Sequence, residues 1–456
     1  MESIKELINI QREYFHTGET KSVDFRIQQL RKLKASILKY EVEICEALNK
    51  DLYKSEFESY ATEVGITLDE INLAIKKVKR WAKAKKARTP ITNFLASSYI
   101  YSEPYGVTLI ISPWNYPFQL LMAPLVGSIA AGNCSVLKPS EYTKNTSCII
   151  NKIIEETFEK KFIAIINGGI EASTAILKEK FDYIFFTGSV EVGRMVMEAA
   201  AKNLTPLTLE LGGKSPCIVD KDVDIKLAAR RIAWGKFLNA GQTCVAPDYL
   251  LVHKDVKIEL LDAMKKVIKE FFGDNPKNSP DLPRIVSERH FDRLKDFLKK
   301  GHIIIGGEYN KDNLYISPTI IDNINWETPI MQEEIFGPIL PIMEYENISE
   351  VINVVNEHAK PLAVYIFSKN KRIQKHILKS IPFGGGCIND TIMHVASTNI
   401  PFGGVGNSGI GHYHGKASFD TFSHKKSVVN KSNLIDISLR YPPYKDKVKL
   451  LKRIFK

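Results

Sequence analysis

The chain has 456 residues, 44% of them hydrophobic and 25% charged, so it has enough apolar material for two or three domains with their own cores. Its six cysteines include no CxxC pair, which argues against a disulfide framework or a structural zinc site and favours a reducing compartment. The formal net charge of +11 comes with scattered lysines and no RNA- or DNA-binding signature, so we expect a solvated basic surface and no nucleic-acid partner.

The first hundred residues have the pattern of helices. The first six residues are acidic and contain no apolar leader, which predicts a cytoplasmic protein without a signal peptide. Ser22 or Asp24 can cap an apolar-periodic helix. Residues 71–78 place apolar side chains on one side and lysines on the other, which predicts an amphipathic helix that continues to Thr89.

The stretch Gly106–Leu137 contains no charged residue, which is the pattern of a membrane span. It is interrupted by Pro113, Pro117 and Pro124, and lipid tolerates such breaks poorly. The stretch therefore predicts a buried strand, a proline-rich loop and a buried helix.

Strand and helix patterns alternate from Gly106 onward, which is typical of a parallel sheet with helices on both faces. A second α/β half is predicted over residues 214–397. The predicted strands of the two halves include Gly106–Ile111, Cys134–Leu137, Phe162–Ile166, Asp182–Phe186, Leu207–Leu211, His302–Ile305 and Leu362–Phe367, with helices at Ile149–Phe158 and Val190–Ala201. Further strands are predicted outside the halves at Tyr99–Glu103, Ser418–Ser423 and Lys425–Val429.

Cys244 differs from the other cysteines in its surroundings. It follows Gly241, which lets the backbone approach a ligand closely, and it precedes Pro247, which ends regular structure. A thiol at such a bend can point into a cleft and react once it is ionised. The alternative is a buried free cysteine in a loop.

Glu210 and Asn115 are candidates for acid–base and oxyanion chemistry. Strand alternation places Thr208 and Glu210 on the face opposite three leucines, and a carboxylate in a partly apolar cleft becomes a better base near neutrality. Asn115 lies in a loop fixed by prolines, where its amide can donate to an oxyanion. The alternatives are a salt bridge at a domain edge for Glu210 and a turn-forming role for Asn115.

Two strand ends are candidates for holding a nucleotide. Gly188, Ser189 and Gly193 lie between a strand and a helix, whose N-terminus suits a diphosphate, although the spacing is not GxGxxG. Lys138 can hold a ribose hydroxyl or a phosphate, and Glu141 can accept from an adenosine ribose. A plain strand–helix loop and a surface ion pair are the alternatives.

Two further segments carry candidate binding residues. Glu334 can bind a ribose and Phe336 can pack on a flat ring, or Phe336 simply anchors the loop. Tyr413 and His414 can line a pocket mouth. We expect no metal site, because no carboxylate or cysteine accompanies the nearby histidines.

Taken together, these segments resemble the aldehyde dehydrogenase superfamily over nearly the whole chain, and within it the class 3, fatty-aldehyde branch. The matching motifs, in the family's order, are PWNYP (113–117), KPSE (138–141), FTGS…G (186–193), LELGGK (209–214), GQTC (241–244), EEIFGP (333–338) and PFGG (401–404). The short N-terminus and the segment 401–422 carry the resemblance to the class 3 branch.

The resemblance implies a role for each candidate. Cys244 would be the nucleophile, Asn115 an oxyanion donor and Glu210 the base that activates water. The cofactor would be NAD, with NADP as a second possibility, and its site would comprise Lys138, Glu141, Gly188, Ser189, Gly193, Gly212, Glu334 and Phe336. The substrate funnel would comprise Tyr116, Thr243, Tyr413 and His414.

The resemblance also implies the architecture. Residues 1–96 and 105–210 would form a Rossmann-type cofactor-binding domain, residues 211–400 an α/β catalytic domain, and residues 97–104 and 415–435 a small β oligomerisation arm. We expect a homodimer. Residues 436–456 would form a basic tail in place of the hydrophobic anchor of some members, which predicts at most peripheral membrane contact.

The substrate stays open at this point. Long-chain aliphatic aldehydes are typical of the branch, and an apocarotenoid or aromatic aldehyde would suit the same tunnel. Glu141 would repel a 2′-phosphate, which favours NAD, although Lys138 could offset that repulsion. The alternatives are a CoA-acylating relative, a non-catalytic membrane- or nucleic-acid-binding relative, and a cysteine hydrolase, for which no histidine partner is identified.

Overall fold

The computed structural model describes residues 3–436, 438–445 and 447–454. The predicted cofactor-binding domain and basic tail also include residues 1, 2, 437, 446, 455 and 456, which lie outside the described residues. The helices are α1 (Ile4–His16), α2 (Val23–Lys39), α3 (Glu41–Leu52), α4 (Glu56–Ser59), α5 (Gly65–Trp81), α6 (Gln119–Ala131), α7 (Lys144–Thr157), α8 (Ile170–Leu177), α9 (Val190–Ala201), α10 (Ile225–Phe237), α11 (Lys257–Phe272), α12 (Glu288–Phe297), α13 (Pro329–Gln332), α14 (Ile348–Asn356), α15 (Lys371–Ser380), α16 (Lys416–Thr421) and α17 (Lys447–Ile454).

The strands alternate with these helices over most of the chain. They are β1 (Lys85–Ala87), β2 (Ala96–Pro104), β3 (Val107–Ile111), β4 (Cys134–Lys138), β5 (Ile163–Ile165), β6 (Tyr183–Thr187), β7 (Leu207–Glu210), β8 (Pro216–Val219), β9 (Tyr249–His253), β10 (His302–Ile305), β11 (Tyr309–Asn310), β12 (Tyr315–Ile316), β13 (Thr319–Asp322), β14 (Ile339–Tyr345), β15 (Ala363–Phe367), β16 (Gly385–Ile388), β17 (Gly409–Ile410) and β18 (Ser423–Lys431).

The first sheet has the order β17-β7-β6-β3-β4-β5. All of its pairs are parallel except that of β17 with β7. Strands β3, β4 and β6 are buried along their whole length, as expected for a parallel sheet that helices cover. The predicted parallel α/β half is therefore confirmed.

The second sheet has the order β10-β13-β14-β9-β8-β15-β16, with only the β10–β13 pair antiparallel. It is supplied by residues that follow β7, so the predicted second α/β half is also present. The carboxyl end of β7 leads directly into this half, which places the junction of the two sheets beside Glu210.

A third sheet has the order β1-β2-β18 and is antiparallel. Strand β18 pairs with β2 over nine residues, from Ser423 opposite Pro104 to Lys431 opposite Ala96. The strand prediction for Lys425–Val429 is therefore confirmed. The strand prediction for Ser418–Ser423 is wrong over most of its length, because Lys416–Thr421 is helical.

The packing of α16 explains that difference. Phe419 is fully buried and its ring lies 5.7 Å from that of Trp81, while Lys416 forms an ion pair with Asp420 one turn later. A tertiary contact on one face, supported by an i,i+4 pair, outweighs a β-prone local sequence.

The amphipathic helix predicted near residues 71–78 is present as α5, but it ends at Trp81 and not at Thr89. The lysine-rich segment that follows forms β1, which pairs Lys85 with Ile100 and Ala87 with Ser98. Charged lysines are well tolerated on such an edge strand, so a pattern of lysines alone does not distinguish a continued helix from an edge strand.

The uncharged stretch folds as predicted, with β3, a proline-rich loop and the fully buried helix α6. Thr108, Ser128 and Ser135 satisfy one another by hydrogen bonds of 2.8–3.0 Å inside this layer. Among the described residues, no helix combines the length and the hydropathy needed to cross a bilayer.

Candidate active site

Four strands of the first sheet end at the same edge. The register places Ile111 of β3 beside Lys138 of β4 and Phe186 of β6, and it places Thr187 beside Glu210 of β7. Because the strands are parallel, the residues that follow them lie together at the carboxyl edge, where open α/β sheets bind ligands. The loops that carry Asn115, Lys138 and Gly188 are therefore brought to one side of the sheet.

Cys244 reaches this edge on a strained turn. The 3₁₀ turn Leu238–Gly241 follows α10, and within it Asn239 and Ala240 both have φ of 51°. Left-handed backbone at non-glycine residues is uncommon and clusters at functional sites. This turn leads into Cys244, which is half-buried and so keeps part of its side chain accessible.

Charges around the sulfur control its ionisation. Burial, and then the Glu334 and Glu210 carboxylates, raise the pKa of the Cys244 thiol, whereas the N–H groups of Cys244 and Val245 lie close enough to the sulfur to oppose this shift. The nucleophile candidate, the base candidate Glu210 and the ribose-binding candidate Glu334 come from three distant parts of the chain, and they lie close enough to influence one another electrostatically.

Glu210 is 3% exposed. Neither carboxylate oxygen finds a hydrogen-bond partner among the groups that the structure describes, and burial raises the pKa of Glu210 well above its usual range. A buried acid without partners is unfavourable for stability, so the retained carboxyl group is better explained by chemistry than by folding. The salt bridge that was the alternative for Glu210 is not formed by any described residue.

Asn115 and Tyr116 face the nucleophile loop. The Asn115 side-chain amide donates to the Gln242 carbonyl at 3.0 Å, and the Tyr116 and Thr243 hydroxyls are hydrogen-bonded at 2.7 Å. The second amide hydrogen of Asn115 is not used by that contact. The proline-rich loop is thereby joined to the residues immediately before Cys244.

The loop between β6 and α9 has the form of an anion site. Ser189 is the N-cap of the twelve-residue helix α9, and its hydroxyl accepts from the Val192 N–H at 3.3 Å. The Gly188 N–H donates to the Glu210 carbonyl at 3.0 Å. A Cβ at Gly193 would lie 2.6 Å from Leu211 Cδ2, so this glycine allows the helix to approach the neighbouring strand.

Lys138 is buried and Glu141 lies at the rim. The Lys138 ammonium donates to the Pro139 carbonyl at 2.8 Å and lies 3.5 Å from a Glu141 oxygen, while the Glu141 side chain is 40% exposed. Burial lowers the pKa of Lys138. This is an ion pair with one buried partner and not the surface ion pair that was the alternative.

Glu334 lies against Gly212. A Cβ at Gly212 would fall 2.0 Å from Glu334 Oε2, so only glycine leaves room for this carboxyl group. Burial raises the pKa of Glu334 to about 8, and its Oε1 is buried without a partner in the described chain. Phe336 has φ of 51°, and its ring packs edge-on against Trp114 at 5.3 Å.

These residues fit a dinucleotide. The helix N-terminus at Ser189 suits a diphosphate, and the unpartnered Glu334 oxygen is an acceptor for a ribose hydroxyl. Lys138 and Glu141 supply a donor and an acceptor at the adjacent strand end. The donor and acceptor set therefore matches the predicted cofactor.

Of the predicted funnel residues, Tyr413 lies near the chemistry and His414 is held elsewhere. Tyr413 is 1% exposed, and the neighbouring Glu210 and Cys244, after burial, raise its pKa well above its usual range. His414 Nδ1 is 2.8 Å from Glu70 Oε1, and the same carboxylate accepts from the Gly415 N–H. His414 therefore has a buried structural partner.

The sequence patterns missed several residues beneath the site. Lys54, Glu58 and Glu63 come from the N-terminal helical layer, are buried, and reach the loops of Asn115 and Cys244. Their segment mixes charged and apolar residues without a clear period, so no local signal indicated burial.

Comparisons with known proteins agree with this geometry. The model of the family described as "Aldehyde dehydrogenase family" matches residues 1–428. The 4,4'-diaponeurosporen-aldehyde dehydrogenase of Staphylococcus aureus (strain NCTC 8325 / PS 47) is 50% identical over 445 residues, 97% of each chain. The "Aldehyde dehydrogenase, dimeric NADP-preferring" of Rattus norvegicus is 45% identical over 445 residues, 97% of this chain and 98% of that protein.

A solved structure extends the comparison to three dimensions. Staphylococcus aureus AldH in its substrate-bound state has a TM-score of 0.98 to this chain at 49% identity, with 100% of both chains covered. The chain therefore belongs to the aldehyde dehydrogenase family and is an oxidoreductase that oxidises aldehydes with NAD(P)⁺.

Proposed function

We propose that this enzyme oxidises long, apolar aldehydes to carboxylic acids through a thioester on Cys244, with NAD⁺ as its preferred cofactor. Two observations carry the proposal: the Asn115 amide is anchored at the Gln242 carbonyl, two residues before Cys244, and Glu334 and Glu210 lie close enough to Cys244 to raise the pKa of its thiol. The substrate class rests on the relative named for a diaponeurosporene aldehyde, which is a long polyene. Long-chain aliphatic aldehydes share that shape, and aromatic aldehydes are the second candidate.

In the first half of the reaction the Cys244 thiolate attacks the aldehyde carbon. The Asn115 amide and the Cys244 N–H donate to the oxygen that becomes negative, since preorganised donors stabilise charge as it develops. When bound, NAD(P)⁺ supplies the acceptor for the hydride that leaves the aldehyde carbon. The acyl group then remains on Cys244 as a thioester.

In the second half Glu210 removes a proton from water, and the resulting hydroxide attacks the thioester. A raised pKa makes the Glu210 carboxylate a stronger base than an exposed glutamate. Its lack of other hydrogen-bond partners in the described chain leaves both oxygens available to water. The acid is released and the thiol is restored.

The residues assigned to the cofactor hold it in two parts. Gly188, Ser189 and Gly193 receive the diphosphate at the start of α9, and Lys138 with Glu141 receives the adenosine ribose. The Glu141 carboxylate disfavours a 2′-phosphate, which is why we place NAD⁺ before NADP⁺. Gly212 gives room to Glu334, which binds the nicotinamide ribose beside Phe336. Tyr116, Thr243 and Tyr413 border the substrate side, whereas His414 is held by Glu70.

We also propose a homodimer formed through the third sheet. Strand β18 is the edge of that sheet in the part of the chain that is described, and edge strands expose unpaired backbone groups to a partner. A relative at 45% identity is named as dimeric. The domain ranges given above, a cytoplasmic location and peripheral membrane contact through α17 stay predictions.

A set of two variants tests the catalytic roles. Cys244→Ser should abolish NAD⁺ reduction by decanal, because a serine hydroxyl ionises far less readily than a thiol and is a much weaker nucleophile, while NAD⁺ binding measured by fluorescence stays unchanged. Glu210→Gln should form the thioester and stall, so that intact-protein mass spectrometry detects the acyl adduct on Cys244. The matched control is Glu70→Gln, another buried carboxylate, which should turn over without an adduct.

Turnover by Cys244→Ser would contradict the assignment of Cys244 as the nucleophile. Loss of the acyl adduct from Glu210→Gln at the wild-type rate would contradict the assignment of Glu210 as the base.

An aldehyde series of rising chain length, run with NAD⁺ and NADP⁺, tests the substrate class: kcat/KM should rise with length and be higher with NAD⁺. Adding CoA tests the CoA-acylating alternative, which predicts faster turnover and an acyl-CoA product.

A further inference from the structure

Lys54 is a buried lysine that touches the catalytic loops from below. Its side chain is fully buried. The ammonium donates to Glu63 Oε1 at 2.5 Å and to the Asn115 backbone carbonyl at 3.0 Å, and it lies 4.0 Å from the centre of the Tyr116 ring. A lysine in this position costs free energy of desolvation unless every donor has a partner, and these three contacts provide one for each.

Glu63 connects Lys54 to the start of the buried helix α6. Its second oxygen accepts from the Phe118 and Gln119 N–H groups at 2.8 and 3.3 Å. These are among the first N–H groups of that helix and lack partners within it. The carboxylate therefore fixes the end of the loop that carries Asn115, while Lys54 fixes its middle.

The element that presents Glu63 is a π-helical turn, Tyr60–Val64, between α4 and α5. Such turns insert one extra residue into an α-helix and are frequent at functional sites. Here the turn separates two acids. Glu58, which precedes it, points to the nucleophile loop, and Glu63, within it, points to the Asn115 loop.

The nucleophile side is joined to the same layer. Glu58 Oε1 accepts from the Asn239 N–H at 2.8 Å, and the Asn239 amide donates to the Asn115 carbonyl at 2.7 Å and the Gln242 carbonyl at 3.2 Å. The Asn115 carbonyl thus receives two donors, one from Lys54 and one from the loop before Cys244. The left-handed backbone of Asn239 is held by these contacts.

We propose that Lys54 is a positioning residue for acylation: its ammonium holds the Asn115 peptide between Glu63 and Asn239, so that the Asn115 amide faces the oxygen on which charge develops. The proposal rests on the oxyanion role proposed for Asn115. Lys54 is bonded to the Asn115 backbone and not to its amide, so it acts on the reaction through the geometry of that residue.

Lysine suits this position for a geometric reason. An ammonium has three donors that point in different directions, which match a carboxylate, a carbonyl and a ring face. Methionine has a similar length and no donor, and the planar guanidinium of arginine has a different shape. A loss of position of about 1 Å in a catalytic donor costs roughly a hundredfold in rate.

The test is a double-mutant cycle on single-turnover acylation, followed as NADH formation from decanal and NAD⁺. Asn115→Ala should slow acylation by about 100- to 1,000-fold, and Lys54→Met by about 10- to 100-fold. In the Asn115→Ala background, Lys54→Met should add no further loss, because the donor that it positions is gone. Thioester hydrolysis and the Kd for NAD⁺ should stay within about twofold of wild type in Lys54→Met, since the variant leaves Glu210 and the nucleotide residues in place.

Two controls separate positioning from stability. The first is Lys54→Met combined with Glu63→Gln, which removes both charges, so that its melting temperature should recover while acylation stays slow. The second is Arg26→Met, which removes another buried cation of the helical layer. Arg26 donates to the carbonyls of Thr20, Lys21 and Ala130, so this variant should lower the melting temperature and leave acylation unchanged.

Each outcome is decisive. The proposal would be overturned if Lys54→Met slowed acylation equally in the wild-type and Asn115→Ala backgrounds. It would also be overturned if the double variant Lys54→Met/Glu63→Gln recovered normal acylation. Slow acylation in Asn115→Ala with normal acylation in Lys54→Met would overturn the role of Lys54 alone. Normal acylation in Asn115→Ala would instead overturn the oxyanion role in the proposed function.

Discussion

The ionisation of Cys244 depends on two neighbouring carboxyl groups. Burial, then Glu334 and Glu210, raise the pKa of the thiol. The buried Glu210 and the half-buried Glu334 each have a raised pKa themselves, chiefly through desolvation. These groups repel one another as anions, so ionisation of any one of them raises the pKa of the others. A cationic ligand bound at the site would lower the pKa of all three groups, because it would stabilise their anionic forms.

The repulsion from Glu334 has a defined pH dependence. The pKa of Glu334 is about 8, so this group is mostly neutral at pH 7 and mostly anionic at pH 9. Alkylation of Cys244 by iodoacetamide, which requires the thiolate, should therefore proceed at similar rates in wild type and Glu334→Gln at pH 7. At pH 9 the variant should react about tenfold faster, which corresponds to roughly one pKa unit.

Mass spectrometry of the Cys244 peptide measures this rate, with the exposed Cys148 as an internal reference. The matched control is Glu333→Gln, the adjacent and more exposed acid that pairs with Arg293, and it should follow wild type at both pH values. Equal rates for wild type and Glu334→Gln at pH 9 would contradict the electrostatic coupling.

Among the elements, α6 and α16 show how closely the first α/β half and the C-terminal segment are packed. A Cβ at Gly127, in the middle of α6, would lie 2.7 Å from Ser418 Cβ and 3.2 Å from the Phe422 ring. Alanine would favour the helix by about 1 kcal/mol relative to glycine. Overpacking costs about 1–3 kcal/mol, so the tertiary contact should prevail.

We therefore expect Gly127→Ala to lower the free energy of unfolding by about 1 kcal/mol, the difference between these two effects. Urea unfolding followed by circular dichroism measures it. The control is Gly169→Ala, because a Cβ at Gly169 would meet no described atom within 4 Å. An unchanged or higher midpoint for Gly127→Ala would show that α16 can move away without cost.

At the scale of the whole molecule, the third sheet shares no strand with the two α/β sheets. Its edge strand β18 exposes 38% of Val428 and 55% of Val429, and two lysines of the strand, Lys425 and Lys426, are also exposed. Apolar side chains on an exposed edge strand promote aggregation of a monomer, whereas in a dimer they can be buried in the interface.

The variant Val428→Asp/Val429→Asp should therefore shift the protein from dimer to monomer in sedimentation velocity, because it places two charges in the proposed interface. Leu204→Asp is the control: Leu204 is 90% exposed in a loop, and its replacement should leave the mass unchanged. A dimer that persists in the double variant would exclude β18 as the interface.

The elements of the two α/β halves could be predicted from local patterns. Strands such as β3 and β6 are short apolar runs between turn signals, and α9 begins and ends where its capping serine and its periodicity place it. The predictions were wrong where tertiary packing or pairing competed with the pattern. Examples are α16, which is helical because Phe419 packs on Trp81, and β1, whose lysines pair with β2.

Local patterns were enough to predict the parallel α/β halves and the candidate groups at the site, because strand periodicity and strand-end residues are local properties. The distant groups that support these candidates became visible only in the folded chain. Lys54, Glu58 and Glu63 lie in a segment whose charges look solvent-exposed, and His414 lies in one that resembles a pocket wall. Burial and partners arise from contacts between residues far apart in the chain, and those contacts exist only once the helices and sheets have packed together.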